Sequence, residues 1–402
     1  MNRRDFLLTG TAAAAVATPS ISARSYAAIV GANDRMNLGV IGLGRRGSIV
    51  AEAFAQDPRV NFVALCDVYD EQAAGFQRRF KDRLSNPAMS VNYHELLGRK
   101  EIDSVLAATP DHLHVEVAKD TLDAGKNIYI EKPTLHRWHE RETLVNAVTS
   151  HKQQVFHCGM QQRSGDHYMH VKQEIFEKGV LGDVVLVRAV WHNFPWQRRV
   201  IKNEPKPAGL DWELFLGPAP KVPYETARYS SWRSYHDYGN GLLADILTHW
   251  VDVAQWMMND DQPAHACALG GDYKLTGDLT NPDTVSAIVQ YKNWNLNFES
   301  SVLSIHSPLP SVYFEGTKGT LNLSREGYTL TPNEGQPTQF DSRQSLERAH
   351  AQNFVDAVLT GKPTNAPLAA GLSATLPVEL ALTSYWLHKT ATLSDLNDQM
   401  GV

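Results

Sequence analysis

One short glycine-rich turn constrains the fold of this chain more than any other feature. The turn follows the strand-forming run Met36–Ile41, its glycines Gly42, Gly44 and Gly47 have the spacing G-x-G-x-x-G, and the residues after Gly47 have a helical pattern. In a strand–turn–helix unit these glycines allow a tight turn, close approach of a pyrophosphate and close helix–strand packing. The helix N-terminus then presents free N–H groups to an anion. The turn therefore predicts the first βα unit of a nucleotide-binding sheet.

A second strand pattern indicates the ligand class that this turn favours. Residues 60–66 form an apolar strand pattern that ends at Asp67, 20 residues after Gly47. At that distance a carboxylate is expected to bind the ribose of a dinucleotide. The alternative is a glycine turn that packs a βα unit and binds no ligand. We predict a dinucleotide site that contains Gly42, Leu43, Gly44, Arg45, Arg46, Gly47 and Asp67.

Residues 1–27 are predicted to be an export signal of the twin-arginine type. Arg3 and Arg4 precede a short, Ala-rich apolar run at 9–17, and small residues at 22–28 follow as a cleavage zone. This order is typical of twin-arginine signals, so we expect a periplasmic or otherwise extracytoplasmic location. The apolar run is too short to span a bilayer stably, and no later segment has a transmembrane pattern. The alternative is a disordered basic tail.

The charge balance bears on the class of partner. The chain has a formal net charge of −6 at pH 7. A mildly acidic, unpatterned surface gives no electrostatic reason to expect nucleic acid or an anionic membrane as a partner. We therefore expect a small-molecule substrate.

The order of predicted elements indicates two domains. From 36 to 157, strand and helix patterns alternate, which predicts a Rossmann domain with a doubly wound parallel sheet. Its strands are predicted at 36–41, 60–66, 103–109, 127–130 and 154–157. From 158 to 402, consecutive strands with short turns predict a second α/β domain with a largely antiparallel sheet. Its strands are predicted at 184–191, 264–269, 284–291, 295–300, 311–315 and 319–323, with helices at 348–359 and 371–388.

Two motifs lie where predicted strands end, which is the edge of a parallel sheet that faces the ligand. The first, at 108–114, supplies the polar candidates Thr109, His112 and His114. The second is the run Glu131-Lys132-Pro133, whose first two residues are also candidates. A lysine beside a nicotinamide ring is able to hold a substrate hydroxyl and to share in proton transfer, and the proline fixes the backbone that aims it. The alternative is an exposed Glu–Lys pair in a surface loop.

A predicted buried helix carries further candidate catalytic groups. Residues 242–258 are apolar over most of the helical surface, so the helix is expected to be largely buried. Asp245, His249 and Asp252 recur at i, i+4 and i+7 and are predicted to form one polar stripe. Such groups are costly to bury unless partnered or facing a wet cavity, and a histidine flanked by carboxylates is suited to accept a proton from an alcohol as hydride leaves. The alternatives are a metal site and a structural His–Asp network.

Taken in order, these motifs resemble the Gfo/Idh/MocA oxidoreductases. The order is G-x-G-x-x-G, Asp67, T-P-D-H-x-H, Glu-Lys-Pro and then G-x-G-x-x-x-D-x-x-x-H-x-x-D, and it extends over nearly all of the chain after the export signal. The resemblance implies a Rossmann domain and a second α/β domain whose large open sheet shapes the substrate pocket and often mediates homo-oligomers. It also implies that Lys132 is the catalytic lysine and that Asp245 and His249 are the catalytic Asp/His pair.

The resemblance also favours NAD over NADP. Asp67 matches the acid that follows the second strand in the family, and Val68 and Tyr69 supply none of the Ser, Lys or Arg side chains that NADP users place nearby. Arg45 and Arg46 in the glycine turn are still able to meet a 2′-phosphate. NADP therefore stays open as the less favoured cofactor.

Three further residues are candidate substrate contacts. The resemblance places substrate-facing polar residues after the last Rossmann strand, which makes Arg163 a candidate. Trp191 opens an aromatic-rich segment at 191–199, and flat aromatic faces stack well on the C–H faces of sugar rings. The alternative for these aromatics is to anchor a long loop or a subunit contact. Asp252, the last polar residue of the helical stripe, is the third candidate.

These inferences predict hydride transfer between a sugar or polyol carbon and nicotinamide C4. His249 would act as general base, Lys132 would orient the hydroxyl and Asp245 would tune the proton relay. Because free NAD is not supplied outside the cytoplasm, an exported enzyme is expected to hold its cofactor tightly and to regenerate it in a redox-neutral cycle. The alternatives are an NAD-dependent glycoside hydrolase that uses transient oxidation and elimination, and an inactive sugar-binding homologue. The intact Glu131-Lys132-Pro133 run favours the oxidoreductase.

Overall fold

The computed structural model describes residues 35–192, 201–275, 278–302 and 310–397. The predicted export signal at 1–27 and most of the aromatic segment at 191–199 lie outside these residues. Within them, no helix combines the length and the apolar character that crossing a membrane requires.

A six-stranded, wholly parallel sheet is built from the first part of the described chain. Its strands are β1 (Met36–Ile41), β2 (Val60–Cys66), β3 (Leu84–Ser90), β4 (Ser104–Ala107), β5 (Asn127–Ile130) and β6 (Phe156–Cys158). Their spatial order is β3-β2-β1-β4-β5-β6, with every pairing parallel. The order reverses between β1 and β4, which is where a doubly wound sheet opens a ligand crevice at its carboxyl edge. The predicted parallel sheet is confirmed.

The helices of this part cover the sheet. They are α1 (Arg45–Ala55), α2 (Asp70–Arg79), α3 (Tyr93–Leu97), α4 (His114–Asp123), α5 (Arg141–Ser150) and α6 (Asp166–His170). Strand β3 was missed by the sequence analysis because its sequence, Leu-Ser-Asn-Pro-Ala-Met-Ser, has no alternating apolar pattern and includes Asn86 with a φ of 52°. A partly exposed edge strand needs no such pattern, because little of it is buried.

A second sheet of eight strands follows. Its strands are β7 (Val184–Val190), β8 (His265–Gly271), β9 (Thr284–Gln290), β10 (Asn295–Ser301), β11 (Ser311–Gly316), β12 (Gly319–Ser324), β13 (Gly327–Pro332) and β14 (Thr338–Asp341). The order is β14-β13-β12-β11-β7-β10-β9-β8, and only the β7–β10 pair is parallel. The predicted mostly antiparallel sheet is confirmed. Strands β13 and β14 were not predicted, and β14 is exposed along its whole length.

One face of the second sheet is covered by helices. The helices of this part are α7 (Trp212–Leu216), α8 (Thr226–Ser230), α9 (Thr248–Met258), α10 (Leu346–Thr360), α11 (Leu368–Leu387) and α12 (Leu393–Asn397). Helix α11 packs on β8 and β9, and α9 packs on β7. Burial alternates along the strands, so that Ala266 and Ala268 are buried while Leu269 is 69% exposed. The opposite face of the sheet is therefore open.

Helix α10 returns to the first sheet, although it lies near the end of the chain. The ring of Phe354 meets the rings of Phe54 and Tyr129 edge-on, at centroid distances of 5.9 and 6.0 Å. On the surface, Arg59 and Asp356 form an ion pair, with a terminal guanidinium nitrogen of Arg59 2.8 Å from Oδ1 of Asp356. The predicted domain of 158–402 therefore contributes α10 to the core of the predicted domain of 36–157. Helical periodicity predicted that α10 has a buried face, but it does not indicate which sheet covers that face.

Close packing at the glycine turn predicts that an added side chain is tolerated at one glycine and not at another. A Cβ atom on Gly47 would lie 1.9 Å from the carbonyl oxygen of Gly42, whereas a Cβ on Gly44 would meet nothing within 4 Å. We expect Gly47→Ala to lower the free energy of unfolding by about 1–3 kcal/mol, because α1 must shift away from β1. Gly44→Ala is the matched control and should leave that free energy unchanged. Urea unfolding of both variants without cofactor measures the difference, and equal stabilities would contradict the packing role.

Candidate active site

A cavity of about 1050 Å³ opens at the carboxyl edge of the parallel sheet. Its walls come from the glycine turn, the ends of β2, β4 and β5, the segment before α9 and the turn after β12. Its lining includes Gly42, Gly44, Arg45, Arg46, Asp67, Thr109, Asp111, Glu131, Lys132, Trp191, Arg233, Asp245, His249 and Arg325. The predicted nucleotide-binding groups and the predicted catalytic groups therefore line one and the same cavity.

The glycine turn forms a cradle suited to a dinucleotide. Gly42 has a φ of 85°, and a Cβ there would lie 2.6 Å from the carbonyl oxygen of Ala108. Gly44 lines the cavity, and a Cβ atom there would meet nothing within 4 Å. A phosphate is therefore able to approach the backbone closely at this position. Helix α1 begins at Arg45 and directs its N-terminus at the same place.

Asp67 is held rigidly beside this cradle. Its Oδ2 accepts a hydrogen bond from the backbone N–H of Leu43 at 2.7 Å, and its Oδ1 accepts one from the N–H of Tyr69 at 2.9 Å. Burial raises the pKa of Asp67 to about 6, against the opposing effect of those two N–H groups. A carboxylate has lone pairs beyond these two bonds, so Asp67 is placed to accept hydrogen bonds from the hydroxyl groups of a ribose.

Arg46 points to another end of the cavity. One of its terminal nitrogens lies 2.8 Å from Glu131 Oε1, and the other lies 3.5 Å from Glu347 Oε1. Arg46 is therefore engaged by Glu131 and Glu347 and not by Asp67. Since its charge is already balanced there, Arg46 is poorly suited to meet a 2′-phosphate. Arg45 lines the cavity as predicted.

Lys132 and Asp245 form a direct ion pair in the cavity wall. Lys132 Nζ donates to Asp245 Oδ1 at 2.6 Å and to the backbone oxygen of Asp245 at 2.9 Å. Arg233 Nε lies 3.2 Å from the same Oδ1. Burial alone would raise the pKa of Asp245, but the ammonium of Lys132 and the guanidinium of Arg233 outweigh it and hold that pKa well below its usual range. Asp245 is therefore an anion that keeps Lys132 in place.

His249 is a neutral imidazole in the same wall. Its side chain is 6% exposed, and burial lowers its pKa well below the usual value, with the cations Arg325 and Lys132 adding to the effect. Within the described parts of the chain, Nδ1 of His249 has no hydrogen-bond partner. The ring of Trp191 stacks on it at a centroid distance of 6.1 Å. The imidazole is therefore in the neutral form, which is the form that a general base requires.

The predicted polar stripe of the helix is divided in the structure. Asp245 lies in a π-helical turn, Leu243–Leu247, and the regular helix α9 begins only at Thr248. Asp252 is 1% exposed and accepts bonds from Arg163 Nε at 2.8 and 3.1 Å. Arg163 and Asp252 therefore form an ion pair with each other, and neither is among the residues that line the cavity. Their contact with the substrate stays a prediction.

Two predicted cofactor contacts also have other roles. His112 is buried and its Nε2 bonds to the backbone oxygen of Phe215 at 3.0 Å. His114 is buried and joins two loops, with Nδ1 2.6 Å from the oxygen of Pro133 and Nε2 3.1 Å from that of Thr109. Neither side chain lines the cavity. His114 thus joins the loops that contain Thr109 and Pro133, and a cofactor contact by either histidine stays a prediction.

The sequence analysis missed several charged residues of the cavity, among them Asp111, Arg233 and Arg325. Asp111 directly precedes His112 in the strand-end motif, and burial raises its pKa to about 7 against the opposing charges of Arg233 and Lys132. Arg233 follows an aromatic run, and Arg325 lies in the turn between β12 and β13. Only Asp111 had a signal, its place in the strand-end motif. The two arginines belong to no motif and are brought to the site by tertiary folding.

A doubly wound parallel sheet with a glycine cradle, joined to an α/β part that supplies a Lys–Asp–His group, defines a two-domain, dinucleotide-dependent oxidoreductase fold. Comparison with family models agrees at both ends. Residues 36–158 match the Gfo/Idh/MocA oxidoreductase family, NAD-binding Rossmann fold, and residues 169–287 match the C-terminal alpha/beta domain of the same family. The chain belongs to the Gfo/Idh/MocA family, and its cofactor domain is of the NAD-binding type, as predicted.

Individual relatives are distant. A glycosyl hydrolase family 109 protein of Streptomyces niveus is 31% identical over 159 residues, which are 37% of this chain and 31% of that protein. Levoglucosan dehydrogenase of Pseudarthrobacter phenanthrenivorans is 23% identical over 321 residues, or 72% of this chain and 74% of that protein. A solved structure of levoglucosan dehydrogenase with NADH and L-sorbose superposes with a TM-score of 0.71 at 18% identity, covering 90% of this chain and 100% of that one. The match to the glycosyl hydrolase spans about a third of its length.

The raised pKa of Asp67 predicts how cofactor binding depends on pH. As the pH falls through about 6 the carboxylate becomes protonated and loses acceptor capacity toward the ribose, so NAD affinity should fall below pH 6 and level off above it. Asp67→Asn should weaken NAD binding about 10- to 100-fold at pH 8, as expected for lost bonds to a charged group, and should flatten the pH profile. Calorimetric titration with NAD and NADP measures both effects. An unchanged profile in Asp67→Asn would refute the assignment.

Proposed function

We propose that this protein is an NAD-dependent oxidoreductase that transfers a hydride to or from a carbon of a sugar or polyol. One observation carries the proposal. The Lys132–Asp245 ion pair and the neutral His249 line the same cavity as the glycine cradle, so a substrate hydroxyl held by these groups would lie at the cofactor.

The side chains have distinct tasks in this chemistry. Bound NAD supplies a hydride acceptor. His249 accepts the proton of the substrate hydroxyl, because it is neutral and has an unpartnered nitrogen. Lys132 donates a hydrogen bond to the same oxygen and stabilises the charge that develops on it. Asp245 keeps Lys132 oriented through the 2.6 Å contact.

The names of two relatives support a sugar or polyol as substrate. Levoglucosan dehydrogenase and an inositol 2-dehydrogenase of Salmonella paratyphi B match 72% and 62% of this chain. Both names describe oxidation of a carbon that carries a hydroxyl group on a ring. Trp191, whose ring lines the cavity beside His249, offers a flat face for such a ring.

We further propose that the protein is exported by the twin-arginine route and works outside the cytoplasm with a tightly bound cofactor. The paired residues Arg3 and Arg4 and the small-residue zone after them support the export. In that location the cofactor must be returned to its starting state in each cycle. The open face of the second sheet, with exposed Val185, Leu269 and Ile288, supports a homo-oligomer.

An NAD-dependent glycoside hydrolase is the second candidate function. The observation that favours it is the 31% identity to a glycosyl hydrolase family 109 protein, the same level as found for a homologue in Bacteroides fragilis at 30%. In this case the same residues would oxidise a glycoside transiently, and the aglycone would leave before reduction. A sugar-binding homologue without turnover is the third candidate, and it requires saturable sugar binding that Lys132→Ala leaves unaffected.

His249→Ala tests the proposed general base. We expect turnover to fall by about 10²- to 10⁴-fold, the usual contribution of a positioned acid or base, while NAD remains bound because His249 does not belong to the glycine cradle. Turnover and cofactor content are measured on the same preparation. His265→Ala, an exposed histidine on β8, is the matched control. Near-normal turnover in His249→Ala would exclude the assigned role.

Mass spectrometry of the released cofactor tests the redox-neutral proposal. The protein is purified without added cofactor and denatured, and the released dinucleotide is identified and quantified. We expect close to one NAD or NADH per chain. A protein that emerges empty, and that reduces added NAD in proportion to substrate, would contradict a captive cofactor. Release of free sugar from an aryl glycoside without net change in NAD would instead select the hydrolase.

A further inference from the structure

Arg325 brings a cation to the cavity from an unexpected direction. It lies in the two-residue turn between β12 and β13, where Leu323 pairs with Tyr328. Its guanidinium carbon lies 4.6 Å from the centre of the Trp191 ring, and Trp191 in turn stacks on His249. Arg325 therefore belongs to the catalytic end of the cavity, and a hairpin turn rather than a catalytic motif supplies it.

Among the residues that the structure describes, the guanidinium of Arg325 has no ion-pair partner. Its Nε is buried and has no hydrogen-bond partner, and in the described ranges no carboxylate forms an ion pair with it. The internal segments outside those ranges, 193–200, 276–277 and 303–309, contain no Asp or Glu. Three other arginines in and around the site are paired with a carboxylate, namely Arg46 with Glu131, Arg163 with Asp252 and Arg233 with Asp245.

The surroundings of Arg325 are short of acceptors. Burial lowers its pKa, while the more distant Tyr168 and Glu347 act in the opposite direction. The hydroxyl of Tyr168 is itself buried without a partner among the residues described, and Glu347 is already engaged by Arg46. A desolvated guanidinium is costly unless an anion pairs with it, and an arginine presents a planar fork of donors that fits a carboxylate or phosphate.

We propose that the cavity takes a sugar that carries an anionic oxygen group, and that Arg325 forms an ion pair with this group while Trp191 contacts the ring. The inference rests on the proposed sugar oxidation and narrows its substrate class to acidic sugars, such as uronates and sugar phosphates. The cofactor phosphates are an unsuitable partner, because their cradle is the glycine turn before α1. Arg325 instead neighbours His249, where the reacting carbon must lie.

Matched sugars that differ only in charge test this inference. Glucose, galactose and mannose are each compared with the corresponding uronate and 6-phosphate, by calorimetric titration of the cofactor-loaded protein. We expect at least one charged sugar to bind about 10- to 100-fold more tightly than its neutral parent, the size expected for hydrogen bonds to a charged group. Arg325→Gln should abolish that ratio, and Arg325→Lys should keep part of it. Arg343→Gln, an exposed arginine, removes the same charge elsewhere and should change nothing.

The outcomes separate this inference from the proposed function. Equal binding of neutral and charged sugars, binding of no charged sugar, or a ratio that survives Arg325→Gln would overturn the anionic subsite. Loss of NAD from Arg325→Gln would also overturn it, because Arg325 would then serve the cofactor. If charge-selective binding depends on Arg325 but no sugar changes the absorbance of the bound nicotinamide, the subsite stands and the proposed oxidation fails.

Discussion

The ion pair between Lys132 and Asp245 is the contact on which the geometry of the site depends. Lys132 follows β5 of the parallel sheet, and Asp245 lies in the π-helical turn that leads into the helix of His249. The 2.6 Å contact thus ties the nucleotide-binding edge to the helix that supplies the proposed base. Removing one partner of a buried pair typically costs about 3–5 kcal/mol. Arg233 and the backbone oxygen of Asp245 supply the additional hydrogen bonds that make such a pair tolerable.

Polar groups around the cavity divide into two kinds according to whether the protein satisfies them. Both carboxylate oxygens of Asp67 and Oδ1 of Asp245 are engaged by fixed donors, so the positions of these side chains are set before any ligand arrives. His249 and Arg325 each have a buried nitrogen that no described residue satisfies. Buried unsatisfied groups are uncommon in native proteins and call for an explanation. Both side chains lie against Trp191, and their occurrence together is explained if a substrate supplies the missing partners.

Sequence reasoning succeeded where one local pattern implies one local geometry. The distance from Gly47 to Asp67 spans a single helix and strand, so it predicted the cradle and the acid beside it. It failed where partners are remote in sequence. The helical period predicted Asp252 on one stripe with the catalytic groups, but it did not indicate that Arg163, 89 residues earlier, forms an ion pair with it. Arg325 was not found because the sequence of a hairpin turn does not indicate which cavity the turn faces in the folded protein.

The return of α10 to the parallel sheet has a consequence for biosynthesis. The apolar surface around Phe54 and Tyr129 is synthesised early, whereas Phe354, which covers it, leaves the ribosome near the end of translation. Until then, the nascent cofactor domain has part of its core open to water. A chain that stops before α10 would therefore leave this part of the core of the parallel sheet uncovered, so a truncated cofactor domain is expected to be less stable than the same domain within the whole polypeptide.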